Sequence, residues 1–360
     1  MNDQRHNNLD KISIVILCKD RHKELKQVID FWSKYQCNTI VLHDTDNPLT
    51  FSHYNSNITY INSQEPIVLR LKESTKYIST PYTIIGNDDE IYLIKSIIQL
   101  IDFLDYNPNF EAVGGQVIAY NWSGKTLLGC RIYPFLLNYS NNNDDPFNRI
   151  YKTLNYKNGM DLTLVYRSDE FKKIVNCVSY FSNYSTPLMY EMMFAFYSSF
   201  YCRSIRLDPV YWMRNWYTPF HNNSSWDRNL TWQKWMENSK YVEEVKDWTD
   251  KFKNLTTSVT NLNDKQIETL IDNLLNWKDM GNVTKFSFMF LNLTPLKKFI
   301  KSLIPSYLIR RLKMSIPFTR KKIMPTFESI IEPSENLSKI HDDDLVIFRK
   351  FVEDQKSLYS

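Results

Sequence analysis

The stretch Thr80-Pro-Tyr-Thr-Ile-Ile-Gly-Asn-Asp-Asp-Glu90 decides the fold. Tyr82 to Ile85 is an apolar run of strand length, and it leads straight into Gly86, Asn87 and three consecutive acids, Asp88, Asp89 and Glu90. Short apolar runs bounded by polar turns mark strands covered on both faces. Three adjacent carboxylates repel one another unless a cation or strong hydrogen bonds compensate. A helix is expected over 93–105, so its N-terminus, where acids are favoured by free amides and the macrodipole, is the competing reading of the cluster.

Working outward, the same grammar repeats. Upstream, Ile12 to Cys18 is an uninterrupted apolar strand that ends in the polar turn Lys19-Asp20-Arg21. Leu25, Val28, Ile29 and Trp32 then recur at helical spacing. Thr39 to Leu42 reads as a second strand, ending in His43-Asp44-Thr45-Asp46, and Ile58 to Ile61 as a third. Ile67, Val68, Leu71 and Ile78 mark another helix, whose Lys72 and Lys76 belong to a solvated face. Downstream, a strand is expected over 112–120. Strands alternating with helices imply βαβ units, hence an α/β protein with a mostly parallel sheet flanked by helices.

In such sheets ligands bind beyond the carboxyl ends of the strands. Here those ends carry Asp20 and Arg21, then Asp44 and Asp46, then Asp88, Asp89 and Glu90. Their convergence along one edge is the strongest functional signal. Asp46, ahead of Asn47-Pro48, is read as a turn former, and Asp44 as either a turn former or a site residue. Asp20 and Arg21 fit a helix cap or a nucleotide contact equally well.

Several function classes are excluded. A formal charge of +4 over 360 residues gives no warrant for nucleic-acid binding. Neither GxGxxG nor GxxxxGK[ST] occurs, so dinucleotide and P-loop sites are unsupported. A nucleotidyltransferase normally needs a glycine- and basic-rich N-terminal loop, which Leu17-Cys-Lys-Asp-Arg21 is not. If the acidic edge takes a nucleotide diphosphate, a carboxylate-held Mn²⁺ or Mg²⁺ neutralises the phosphates naturally. Five cysteines without CxxC spacing suggest neither a disulfide framework nor a zinc site. With no run of about 18 apolar residues and a polar start, a cytoplasmic chain is expected. Aromatics at 15% are compatible with sugar stacking, and equally with the coding bias of an Asn-, Lys-, Ile- and Tyr-rich chain.

The Lys-Asp-Arg turn after the first strand, Asp44-Thr45 after the second and Thr80-Pro-Tyr…Asp-Asp-Glu90 together resemble the family-2-like GT-A glycosyltransferases. The resemblance is to a bacterial surface-polysaccharide branch with a TPY…DDDF-type motif. Leu164-Val-Tyr-Arg167, Tyr190-Glu-Met-Met193 and Leu207-Asp-Pro-Val-Tyr-Trp-Met-Arg214 follow in the order of that branch, so the likeness spans residues 10–225. It implies a GT-A fold and transfer of a sugar from a nucleotide-diphosphate donor, a UDP-sugar foremost, to a glycan or lipid-linked acceptor. It further implies that Asp44 contacts the base or ribose and that Asp88 and Asp89, with Glu90, hold metal and diphosphate. Glu191 stands where these enzymes place the general base of an inverting transfer, and His221 where a further metal ligand is often found. A non-catalytic nucleotide-sugar or polysaccharide-binding subunit on the same fold is the competing expectation.

Read as residues, Glu191 is a lone carboxylate in an apolar helical stretch, either the one polar residue on an exposed stripe or a buried group whose burial would raise its pKa toward that of a base. Asp161 is the reserve candidate for that role. Arg214 follows a strand and could clamp a pyrophosphate leaving group. From about residue 226 the pattern turns helical to the end of the chain. Within it, 295–322 carries nine Lys/Arg and no acid, with Leu296, Phe299, Ile300, Leu303 and Ile304 at helical spacing. That is the pattern of an interfacial helix on anionic lipid, or of a basic lid over the donor. The tail begins His341-Asp-Asp-Asp344, which reads as a helix N-terminus rather than a metal cluster.

Overall fold

In the computed structural model, the described residues are 4–49, 56–123, 126–133, 139–156, 159–186, 188–215, 230–276, 326–327, 330 and 340–357. The basic segment 295–322 and His221 lie outside them.

In chain order the elements are β1 (Ile12–Lys19), α1 (His22–Trp32), β2 (Asn38–Asp44), β3 (Ile58–Asn62) and α2 (Ile67–Ser74). Then come β4 (Tyr82–Asn87), β5 (Ile91–Tyr92), α3 (Ile94–Tyr106), β6 (Ala112–Ser123), β7 (Thr126–Ile132) and β8 (Ser140–Asn141). They are followed by α4 (Pro146–Tyr156), β9 (Val165–Arg167), α5 (Ser168–Val178), α6 (Leu188–Tyr201) and β10 (Ser204–Asn215). The chain continues with α7 (Trp232–Glu237), α8 (Val242–Val259), α9 (Asp264–Leu275) and α10 (Asp342–Ser357).

One mixed sheet runs in the order β3-β2-β1-β4-β9-β6-β10-β5, with β7 on β6 and β8 on β10. The first four strands are parallel throughout, as the alternating pattern predicts. Beyond them the three-residue β9 enters antiparallel to both β4 and β6, while β10 runs parallel to β6. The chain moves outward from β1 through β2 to β3, then crosses back to lay β4 on the other side of β1. The order therefore reverses between β1 and β4, and a crevice opens at their carboxyl ends.

Two cores cover the two faces. Ile12, Ile14 and Ile16 of β1 face α1, α3 and α10, while Val15 faces α2, α5 and α6. That alternation is why β1 reads as a continuous apolar run: both of its faces are buried. Leu25, Val28, Ile29 and Trp32 form the buried stripe of α1, as their spacing predicts. Most of α6 is buried, from Met189 to Ser199, because it is embedded between the sheet and other helices. Phe196 of α6 meets Phe252 of α8 with ring centroids 4.7 Å apart. The helices beyond residue 226 thus divide: α7 to α9 join one core and α10 the other. No helix among the described residues is long and apolar enough to cross a membrane.

Candidate active site

The crevice at the β1–β4 reversal is where the acids sit. Asp88 and Asp89 form the turn after β4, and Glu90 leads into β5. All three are nearly sealed, at 4%, 5% and 6% exposure. Buried carboxylates persist only where charge partners and hydrogen bonds compensate. The first partner comes from the end of β1. Asp20 adopts a left-handed conformation, φ 55°, and its N–H donates to the Asp44 carbonyl at 3.1 Å. This bend aims Arg21 beneath the strand ends. Arg21 Nη1 donates to Asp88 Oδ1 at 2.7 Å, and Nη2 pairs with Asp89 Oδ2 at 2.9 Å.

Glu90 turns the other way. It accepts from Asn87 Nδ2 at 2.7 Å and from Trp212 Nε1 at 2.9 Å, and pairs with Arg214 Nε at 3.3 Å. Burial, then the Asp89 charge, pushes Asp88 well above the usual carboxylate range, with Arg21 opposing. Burial likewise lifts Glu90 against the pull of Arg214. Two guanidinium groups thus face three carboxyl groups.

Arg214 links the acid turn to Glu191. Its Nη1 donates to the Tyr133 hydroxyl at 2.8 Å, and its charge is favoured by Tyr133, Glu90 and Glu191. Glu191 is half-buried in the first turn of α6, and burial together with the Glu191 charge holds the neighbouring Tyr190 hydroxyl above its usual range. The reserve candidate, Asp161, lies buried beside Arg206, and burial lifts it to about 7.

Asp44, at the end of β2, pairs with Lys19 at 3.3 Å and Arg70 at 3.6 Å. Asp46 is exposed and accepts from Gln64, consistent with its turn role. Lys72 and Lys76 are both exposed, as their helix face predicts. Arg70 was not anticipated from sequence. It is buried in α2 and donates to the Cys18 and Leu42 carbonyls, both at 3.3 Å, tying together the ends of β1 and β2. His43 is buried with Nδ1 2.7 Å from the Tyr60 hydroxyl, and burial lowers it to about 4. Tyr133, Asn87 and Trp212 were also missed, since nothing in their local sequence marks them as partners of the acids. At the far end, the three aspartates after His341 do open α10, as expected of a helix start.

Among the described residues, no three His, Cys, Asp or Glu side chains are grouped as a metal cage. Glu90, turned toward Trp212 and Arg214, is separated in role from Asp88 and Asp89. A Mg²⁺ or Mn²⁺ shared with a diphosphate needs only one or two protein carboxylates, which the Asp88–Asp89 pair supplies. The residues present fit an ion of that kind.

Neither a protein-family model nor a curated protein matches the sequence. Among solved structures, Staphylococcus aureus TarS 1-349 in complex with UDP-GlcNAc is similar, at 14% identity and TM-score 0.50 over 79% of this chain and 78% of that one. The same TarS region without that ligand is 12% identical, with TM-score 0.49 over 79% and 77%. At such identity the likeness establishes the architecture: the chain carries the GT-A-type α/β fold that TarS 1-349 shares.

Proposed function

We propose that this chain is a nucleotide-sugar glycosyltransferase whose donor binds at the β1–β4 crevice. The observation that carries the reading is the meeting there of Arg21 with Asp88 and Asp89, continued through Glu90 to Arg214 and Glu191. The fold shared with a protein solved with UDP-GlcNAc supports a UDP-sugar as donor.

Asp88 and Asp89 would hold a Mn²⁺ or Mg²⁺, which when bound would supply charge neutralisation for the leaving nucleotide. Asp44, with the Asp20–Arg21 bend beside it, lines the nucleoside side of the crevice. Arg214, 36% exposed at its side chain, meets the diphosphate as negative charge develops on it. Glu191 accepts the proton of an acceptor hydroxyl as that oxygen forms its bond to the anomeric carbon. The bond from that carbon to the diphosphate oxygen breaks, the electron pair leaves with UDP, and the configuration inverts. The acceptor is a hydroxyl of a glycan or a lipid-linked saccharide.

Arg21 favours a second reading, because it already pairs with both metal-site acids: a binding subunit that takes nucleotide without metal. Calorimetric titration with a panel of nucleotide sugars, with and without Mn²⁺, tests the first. Mn²⁺-dependent binding of a UDP-sugar, lost in Asp89→Ala, is expected. Binding indifferent to both metal and Asp89 would favour the second, and no binding of any nucleotide sugar would overturn both.

A further inference from the structure

The acid turn is also held from behind, by a helix that lies at the other end of the chain. Gln355 of α10 is 2% exposed, a buried amide at 266 residues' remove from Asp89. Its Nε2 donates to the Asp89 carbonyl at 3.2 Å. Its Oε1 accepts from the Tyr120 hydroxyl at 2.9 Å, and that hydroxyl also lies 3.3 Å from the Asp89 carbonyl. Tyr120, on β6, is 1% exposed. The hydroxyl has one proton, and the shorter contact takes it to Gln355, which fixes the amide with its NH₂ toward Asp89. Asp89 is in a turn, outside the strand ladder, so a buried carbonyl there must find a donor elsewhere.

α10 is itself docked by contacts around that same turn. Its Asp344 carboxylate accepts the Lys95 N–H at 3.1 and 3.2 Å, holding the first turn of α3, the helix that follows the acids. Phe348, Phe351 and Val352 are buried in the core, with Phe348 edge-on to Tyr120 at 5.1 Å and Phe351 to Phe31 at 5.7 Å. Gln27 Nε2 donates to the Phe351 carbonyl at 2.7 Å. The Asp88 and Asp89 side chains are gripped by Arg21 on one side, while the Asp89 backbone is gripped by α10 on the other.

We infer that α10 is a clamp on the donor site, with Gln355 the positioning residue that sets the Asp89 carboxylate through its own main chain. The inference rests on the donor site proposed above. It makes the C-terminal helix part of the donor-binding machinery, although α10 supplies no group that touches donor.

The test uses the full chain and two readouts. Hydrogen exchange of the segment 86–92 needs no ligand, and Gln355→Met, similar in volume but without the amide, is expected to raise it at least tenfold. Gln355→Glu, which sets a carboxylate against the Asp89 carbonyl, is expected to do the same. UDP binding with Mn²⁺ should weaken about tenfold in both variants. Leu270→Ala in α9, buried in the other core, should lower the unfolding temperature and leave UDP affinity within twofold. Unchanged exchange at 86–92 in both Gln355 variants would overturn the clamp, as would raised exchange with UDP affinity equal to wild type. Wild type that binds no UDP would instead remove the donor-site reading, and the exchange result would then stand by itself.

Discussion

Arg21 stands between two carboxylates that could not share the end of the sheet without it. Like charges a few ångströms apart in a poorly solvated site repel strongly, and removing one partner of a buried pair leaves its charge uncompensated. Arg21→Met should therefore lower stability by about 3 kcal/mol, the usual scale for breaking a buried pair. Urea unfolding measures it, and adding Asp88→Asn should recover part of the loss, since the orphaned charge is then gone. Asp88, Asp89 and Arg21 could be found from sequence because each follows a strand whose apolar run is unmistakable. Arg70, Tyr133, Trp212 and Gln355 could not. Each meets the site through a partner distant in sequence, and an arginine on an amphipathic helix looks like any solvated one. Arg214 and Glu191 lie between these cases, placed in order by resemblance and connected to one another only in three dimensions.

At the scale of elements, β10 aims both Trp212 and Arg214 at Glu90. Its pairing with β6 slips between Arg206 and Val210 and again before Trp212, so a bulge around Pro209 resets which side chains face the crevice. Gly115 of β6 makes room for it: a Cβ there would fall 2.2 Å from the Pro209 carbonyl oxygen and 2.9 Å from the Tyr211 ring. Backbone cannot yield as a flexible side chain does. Gly115→Ala should cost about 2 kcal/mol, in the range of forced overpacking, read as a lower unfolding midpoint. The long periodic elements, β1, α1, β2, β4 and α3, were legible because periodicity needs length to show. β5 with two residues and β9 with three are too short for any pattern, so the antiparallel entry between β4 and β6 was not foreseen. The apolar surround of α6 hid its orientation for a related reason: a helix buried on most sides has no polar face to read.

Across the whole molecule, the reversal of strand order between β1 and β4 explains why acids from one strand end meet an arginine from another. The described helices after residue 226 then close around this arrangement from both faces, α8 against α6, α9 against α4, and α10 against α1 and α3. The division expected at 226 marks a change of pattern, from alternation to helices, and the later helices share the two cores of the sheet. The proposed function is transfer of a sugar, with Asp89 holding the donor and Glu191 taking the acceptor proton. It is tested most directly by UDP release from a panel of UDP-sugars in the presence of Mn²⁺, with UDP affinity measured on the same variants. Turnover by the wild type and loss of UDP binding in Asp89→Ala are expected. In Glu191→Gln kcat should fall by about 10² or more, the scale of a lost general base, with UDP affinity within about twofold of wild type. Turnover that survives both substitutions would contradict it.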